Sequence, residues 1–216
     1  MKILQKFKFN MQLFGGRGAS SSSSGGGAAL DFQKSHLDKL KEPPSVASQL
    51  SQTIGVSEAE AEQMAKAVHY YSGAGYTNIR QAQYSKDASN PYYEEVMAIE
   101  NLIDKSPKWG GGEIYRGMHL SSSTISQLEK GAKIDMKGMS SWTTKESLAK
   151  SFSKTKVPNE SPVIFKTTGT KKGTSITHLS RFGKKEEEVL VSGSATWTIK
   201  SIKKSGKTTI VELAED

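Results

Sequence analysis

Apolar positions recur at helical spacing through the first half of the chain and at strand spacing through the second. Ala61, Met64, Ala65 and Val68 keep to one stripe behind Ser57 and Glu60, the Ser-x-x-Glu arrangement of a capping box. That pattern predicts an amphipathic helix from Ser57 to Tyr71. Gly73 and Gly75 break it. A second helix is predicted over Tyr76 to Tyr84 and a third over Pro91 to Lys105, the latter burying Val96, Ile99, Leu102 and Ile103. After Gly110-Gly111-Gly112 the period shortens to that of strands, predicted at Glu113 to Met118, Val163 to Thr168, Thr174 to Ile176, Glu187 to Val191, Thr196 to Lys203 and Thr208 to Leu213. One more helix, Lys145 to Phe152, interrupts them, with Thr144 as its cap. Helices first and an antiparallel-looking strand set afterwards predict an α+β fold. No internal repeat is visible.

The N-terminal stretch has no such pattern. Gly15 to Gly27 is a serine tract and a glycine tract with nothing to pack, which reads as a flexible linker. From Ala28 the pattern is mixed, with a short helical stretch around Leu37 to Leu40 that Pro43-Pro44 closes. Residues 1–44 are therefore expected to be a basic leader and linker, and residues 45–216 one folded domain. Lys6, Lys8, Asn10 and Gln12 interrupt the apolar residues of Met1 to Phe14, so no conventional export signal is read there. No apolar run approaches the roughly 18 residues of a membrane span.

Composition narrows the chemistry. The 216 residues contain no cysteine, which excludes disulfides, thiolate metal sites and cysteine nucleophiles. Four histidines, none spaced as helix ligands, argue against a zinc site, and no metal is expected. The net charge of +8 favours anionic partners without naming one.

The candidate chemistry centres on Arg181 to Val191, where Glu186, Glu187 and Glu188 run into Val189-Leu190-Val191. Residues two apart on a strand point the same way, so Glu188 shares a face with Leu190, and Glu186 lies on that side where strand meets loop. Two readings stand: a solvated charge run balancing Lys184 and Lys185, or carboxylates led into a core. On Glu113 to Met118 the alternation turns Arg116 inward with Ile114 and Met118. A buried guanidinium needs either an ion-pair partner or a carboxylate or phosphate ligand. Gly117 beside it removes a side chain where a ligand could come close to the backbone. Ser140 and Ser141 lie upstream of the helix cap. With no Gly-x-Ser-x-Gly elbow and no histidine in a hydrolase arrangement, their hydroxyls read as positioners of other groups.

In this order, Tyr115-Arg116-Gly117, Gly138-Met139-Ser140-Ser141-Trp142 and Glu186-x-Glu188-Val-Leu-Val resemble the mono-ADP-ribosyltransferase family with the Arg-Ser-Glu signature. The likeness is to the bacterial toxin branch that includes Rho-modifying exoenzymes and actin-modifying binary toxins. Ser180-x-Phe182, Ala195-Thr-Trp197-Thr-Ile199, Tyr71-Ser72 and Tyr76-Thr77-Asn78-Ile79 resemble its flanking segments, so the match spans roughly residues 45–216. The usual Ser-Thr-Ser is here Ser140-Ser141-Trp142, and a usual Asn and Arg of the second helix become Arg80 and Tyr84.

The resemblance implies a helical segment packed on a two-sheet, mainly antiparallel core, and cleavage of NAD with transfer of ADP-ribose to a target protein. Glu188 would stabilise the sugar, Glu186 receive the acceptor, and Ser140 hold Glu188. Arg116 would grip the diphosphate, with Gly117, Ser141 and Arg80 completing the cofactor contacts. Phe182 and Trp142 would stack on acceptor or nicotinamide, or else anchor the loop as core aromatics. A glutamate at 186 suits an arginine acceptor, since relatives that modify asparagine carry glutamine. The rivals are an NAD glycohydrolase with the same site and an inactive basic binding module. Nucleic acid is not expected, because the basic residues are not interleaved with aromatics. The leader Asn10 to Ala19 resembles leaders on prophage head-associated proteins of Gram-positive bacteria, which implies virion delivery as one route to a host and secretion as another.

Overall fold

The computed structural model describes residues 44–216, so the predicted leader, the linker and the helical stretch around Leu37 to Leu40 lie outside the described residues. The described chain forms two compact units.

The helical unit comprises residues 44–107 and the returning segment His178–Gly183. Its helices are α1 (Pro44–Ile54), α2 (Glu58–Tyr71), α3 (Tyr76–Ser85) and α4 (Tyr93–Lys105). Helix α1 lies where the proline pair predicts a stop. Proline in the first turn lacks only an N–H that would have no intrahelical partner anyway, so Pro44 starts a helix that buries Ala47 and Leu50. The predicted capping box on α2 is present: the Ser57 hydroxyl accepts from the Glu60 N–H at 3.3 Å, and the Glu60 carboxylate accepts from the Ser57 N–H at 3.0 Å. Helix α2 buries Ala61, Met64, Ala65 and Val68, and α4 buries Val96, Ile99, Leu102 and Ile103, as their spacing predicts. Gly75 is needed between α2 and α3, because a Cβ there would lie 2.2 Å from the Tyr70 ring. That ring stacks on Tyr92 at 5.9 Å. The returning segment ties in through the Arg181 N–H, which donates to the Ser72 hydroxyl at 2.8 Å.

The sheet unit comprises Lys108–Thr177 and Lys184–Asp216. Its strands are β1 (Glu113–Ser121), β2 (Lys133–Asp135), β3 (Ser140–Thr143), β4 (Glu160–Thr168), β5 (Gly173–Ser175), β6 (Glu188–Val191), β7 (Thr196–Ser205) and β8 (Thr208–Glu215). The short helix α5 (Ser122–Ile125) follows β1, and α6 (Glu146–Phe152) follows β3. The hydrogen-bonded order is β2-β7-β8-β4-β1-β3-β6-β5, antiparallel except for β4 beside β8. β2 is absent from the strands that periodicity predicts; three residues with one buried side chain, Ile134, carry too little pattern to announce a strand.

The order is continuous and open, yet the sheet folds back over itself. β3 and β7 are four steps apart, roughly 19 Å in a flat sheet at the usual strand spacing. The rings of Trp142 on β3 and Trp197 on β7 are nevertheless 5.3 Å apart. The sheet therefore bends sharply, and its two parts face each other across one core of Ile114, Met118, Val163, Phe165, Val189, Val191 and the two tryptophans. The bend falls between β1 and β3, which share only the pair Tyr115 with Thr143, whereas β1 pairs with β4 along its whole length. Two packed sheets and one bent sheet are thus the same object, and the α+β class stands.

Candidate active site

β3 and β6 pair Ser140 with Val191, Ser141 with Leu190, Trp142 with Val189 and Thr143 with Glu188. Directly paired residues point to the same face, and faces alternate along each strand. Trp142, Val189 and Val191 belong to the hydrophobic core, so Ser140 faces the core with them. Glu188 lies on the opposite face, together with Ser141 and Thr143. The Ser140 hydroxyl accepts from the Trp142 indole N–H at 3.0 Å. Ser140, expected to hold Glu188, thus lies on the other face: a one-residue step along a strand flips the side chain, and it is Ser141 that shares the carboxylate's face.

Trp142 lies on the core face with Ser140. It is fully buried against Trp197, so of its two predicted roles the structure supports the core aromatic. Gly117 leaves room for a close backbone approach: a Cβ there would lie 1.8 Å from the carbonyl oxygen of Ala149, because the backbone of α6 sits directly on β1. Arg116 is turned inward as predicted and is 1% exposed. Its Nη1 donates to the main-chain carbonyl of Ser141 at 2.6 Å, across the bend where one register pair joins β1 to β3. In this conformation the guanidinium is covered and braces the strand carrying Ser141.

Glu188 is buried, 5% exposed at the start of β6. Glu186, two residues upstream, is half-buried, and its carboxyl is pushed up to about 7 by burial and by the charge of Glu188. Glu187 between them behaves oppositely: hydrogen bonds from Thr144 and Lys145 hold it below the usual carboxylate range. The three carboxylates are therefore neither a uniform solvated run nor uniformly buried. The bond from Thr144 to Glu187 also replaces the predicted cap, since the N-cap position of α6 is Lys145 and has no side-chain cap.

The remaining predicted residues belong to the helical unit. Arg80 on α3 is buried, with its guanidinium 4.8 Å from the Tyr84 ring centre and hydrogen-bonded to that residue's hydroxyl. Phe182 is part-buried in the returning segment, its N–H donating to the Ser180 hydroxyl at 3.4 Å. A groove of about 530 Å³ in the same unit is lined by Glu60, Met64, Met97, Glu100 and Asp104 among others, and it contains none of the predicted site residues. Sequence reasoning missed Thr143, Thr144 and Lys145 as partners of the glutamate segment. Contacts between residues some forty positions apart leave no local signal.

No family model matches the chain. No curated protein sequence matches it either. Solved structures do. The Vis toxin, an ADP-ribosyltransferase from Vibrio splendidus, superposes with a TM-score of 0.63 at 21% identity, covering 91% of this chain and 88% of that one. Exoenzyme S from Pseudomonas aeruginosa, in complex with human 14-3-3 protein beta and bound to carba-NAD, gives 0.58 at 17% identity over 86% and 88%. The C3 exoenzyme of Clostridium limosum gives 0.56 at 17% identity over 87% and 94%. The chain has the fold of these bacterial ADP-ribosyltransferases.

Proposed function

We propose that this protein is an NAD-dependent mono-ADP-ribosyltransferase that modifies an arginine of a target protein. The observation that carries the reading is the face shared by Glu188 and Ser141 across β3 and β6, with Glu186 half-buried two residues upstream. The neighbours support the substrate classes: exoenzyme S has been solved with carba-NAD, and Vis with agmatine, a guanidinium compound.

The chemistry suits those groups. Breaking the bond between nicotinamide and ribose sends the bonding pair out with nicotinamide and leaves positive charge on the sugar, as in glycoside hydrolysis. A carboxylate hydrogen-bonded to the ribose 2-hydroxyl tightens its hold as that charge grows, and we assign this to Glu188. Ser141 orients Glu188 from the paired strand, and Arg116 braces Ser141 through its carbonyl. A guanidinium nitrogen of the acceptor then bonds to the anomeric carbon. Arginine is protonated until that bond forms, so the released proton passes to Glu186, which also orients the acceptor while ionised.

The test is nicotinamide release from NAD by purified protein, with and without agmatine. Release with an ADP-ribosyl agmatine adduct is expected. Release without adduct would make the protein a glycohydrolase or direct it to another acceptor residue, and no NAD cleavage or binding would end the enzymatic reading.

The register correction makes its own prediction. Ser141→Ala should lower kcat for nicotinamide release by about tenfold to a hundredfold, the worth of a hydrogen bond to a charged group. Ser140→Ala should leave kcat unchanged and cost about 1 kcal/mol of stability through the lost indole bond. Equal losses of turnover in the two variants would contradict the assignment.

Glu186 gives the reaction a pH dependence. Its carboxyl must be ionised to orient a guanidinium, so kcat/KM for agmatine should rise through about pH 7, while hydrolysis of NAD by water should not. In Glu186→Gln the rising limb should vanish. Stability runs the other way. The folded value of about 7 lies above the ordinary 4.5, so the contribution of Glu186 is fully present below about 4.5 and is lost as pH rises through 7. Thermal melts should show Glu186→Gln gaining on the wild type between about pH 4 and about pH 8. A difference that does not change with pH would contradict the raised carboxyl.

A further inference from the structure

The last residue of β3 and the two that follow it reach across to the segment that leads into β6. The Thr143 hydroxyl donates to the carbonyl of Glu186 at 2.5 Å and accepts from the Lys145 N–H at 3.0 Å. The Thr144 hydroxyl donates to the Glu187 carboxylate, and the Thr144 N–H to the Glu187 carbonyl at 3.4 Å. The Lys145 ammonium donates to the carbonyls of Lys184 and Lys185 at 2.5 and 3.2 Å, and lies 3.3 Å from a Glu187 carboxylate oxygen. The ammonium thereby caps carbonyls of the 3-10 turn Gly183–Lys185 and ties them to Glu187.

Glu187 has a feature that needs this support. Its φ is 43°, a left-handed backbone that a glutamate adopts at a cost and that glycine would adopt freely. That conformation lies between Glu186 and Glu188. With the three fixed points around it, the main chain on both sides of Glu186 is anchored at Lys184, Lys185, Glu186 and Glu187, while the Glu186 side chain stays half-buried.

We infer that Lys145 and Glu187 form a clamp that sets where the Glu186 carboxylate meets the acceptor, making them positioning residues for acceptor choice and not for NAD cleavage. The inference rests on the transferase reading above. Glu188 is held separately by the β-ladder, through its pair with Thr143 and through its carbonyl, which accepts from the Ile176 N–H at 3.0 Å. Losing the clamp therefore loosens one glutamate and spares the other. Lys145 is part-exposed and Glu187 is near the surface, so neither substitution opens the core.

The clamp is tested by Lys145→Met, Lys145→Arg and the wild type, each followed in two ways. Hydrogen exchange of the amides of residues 184–187 should be about tenfold faster in Lys145→Met, with exchange in β1, β4 and β8 unchanged. In steady-state assays Lys145→Met should raise KM for agmatine about tenfold, since a misplaced contact weakens acceptor binding. Its rate of NAD hydrolysis without acceptor should stay at the wild-type level. Lys145→Arg keeps the charge and should restore both readouts most of the way. Unchanged exchange in Lys145→Met overturns the clamp. So does faster exchange with an unchanged agmatine KM. If exchange quickens but the wild type itself cleaves no NAD, the transferase reading fails, and the positioning role fails with it.

Discussion

Glu188→Gln is expected to lower nicotinamide release from NAD about a thousandfold, the scale on which removing a preorganised group from a developing charge slows an enzyme. The substitution keeps the shape of the side chain, removes the negative charge and turns one acceptor oxygen into an N–H donor. Glu188 is buried, sits at the head of a strand and pairs with Thr143, so the amide meets the same packing. Folding should be preserved, with Tm within a few degrees of the wild type and NAD binding weakened far less than turnover. In kinetic terms kcat and kcat/KM should fall together, the mark of an interaction made in the transition state. A variant that keeps wild-type turnover would remove Glu188 from the chemistry, and with it the reading built on the shared face. A variant that loses its fold would mean instead that the carboxylate is structural. Circular dichroism beside the nicotinamide assay separates the two.

Gly117→Ala carries the largest expected effect on stability. One added methyl would place a carbon 1.8 Å from the carbonyl oxygen of Ala149, 2.7 Å from its carbonyl carbon and 3.0 Å from the Ser153 nitrogen. All three are backbone atoms of α6 or its C-cap, so no rotamer change relieves the overlap. Either α6 lifts from β1 or β1 bends away from its ladder with β4. Overpacking of this kind costs about 3 kcal/mol, at the upper end of what is usual. For a domain of this size that lowers Tm by roughly 6–12 °C. Calorimetry checks it, and Ala149→Gly on the same background should not rescue the variant, because the clash is with main chain. A Tm within about 2 °C of the wild type would show that α6 does not sit on Gly117 as described.

Gly117 also shows how far a sequence reading reaches. Glycine at that position correctly signals a close backbone approach, but not what approaches. The structure shows the backbone of α6 there. Pro44 is a similar case. Proline after proline reads as a stop, and only the burial of Ala47 and Leu50 reveals that a helix starts there. In the candidate site the alternation along β1 is enough by itself to turn Arg116 inward, whereas the glutamates alone read equally as a solvated charge run, and it is the structure that shows Glu188 buried. The choice between Ser140 and Ser141 is not legible, because both lie on one short strand whose residues are all buried.

By itself, the sequence determined the helix boundaries marked by caps and glycines, most of the strands, the α+β class and the segments carrying the candidate chemistry. Each of these depends on neighbours within a few residues, through helical period, pleat or turn geometry, so the information is local. Tertiary structure decided which serine faces Glu188, that Trp142 belongs to the core, that Arg116 braces a strand and that Thr143 to Lys145 hold the glutamate segment. Those outcomes depend on strand register and on contacts between residues far apart in the chain. A register shift of one residue reverses every face while leaving composition and period unchanged.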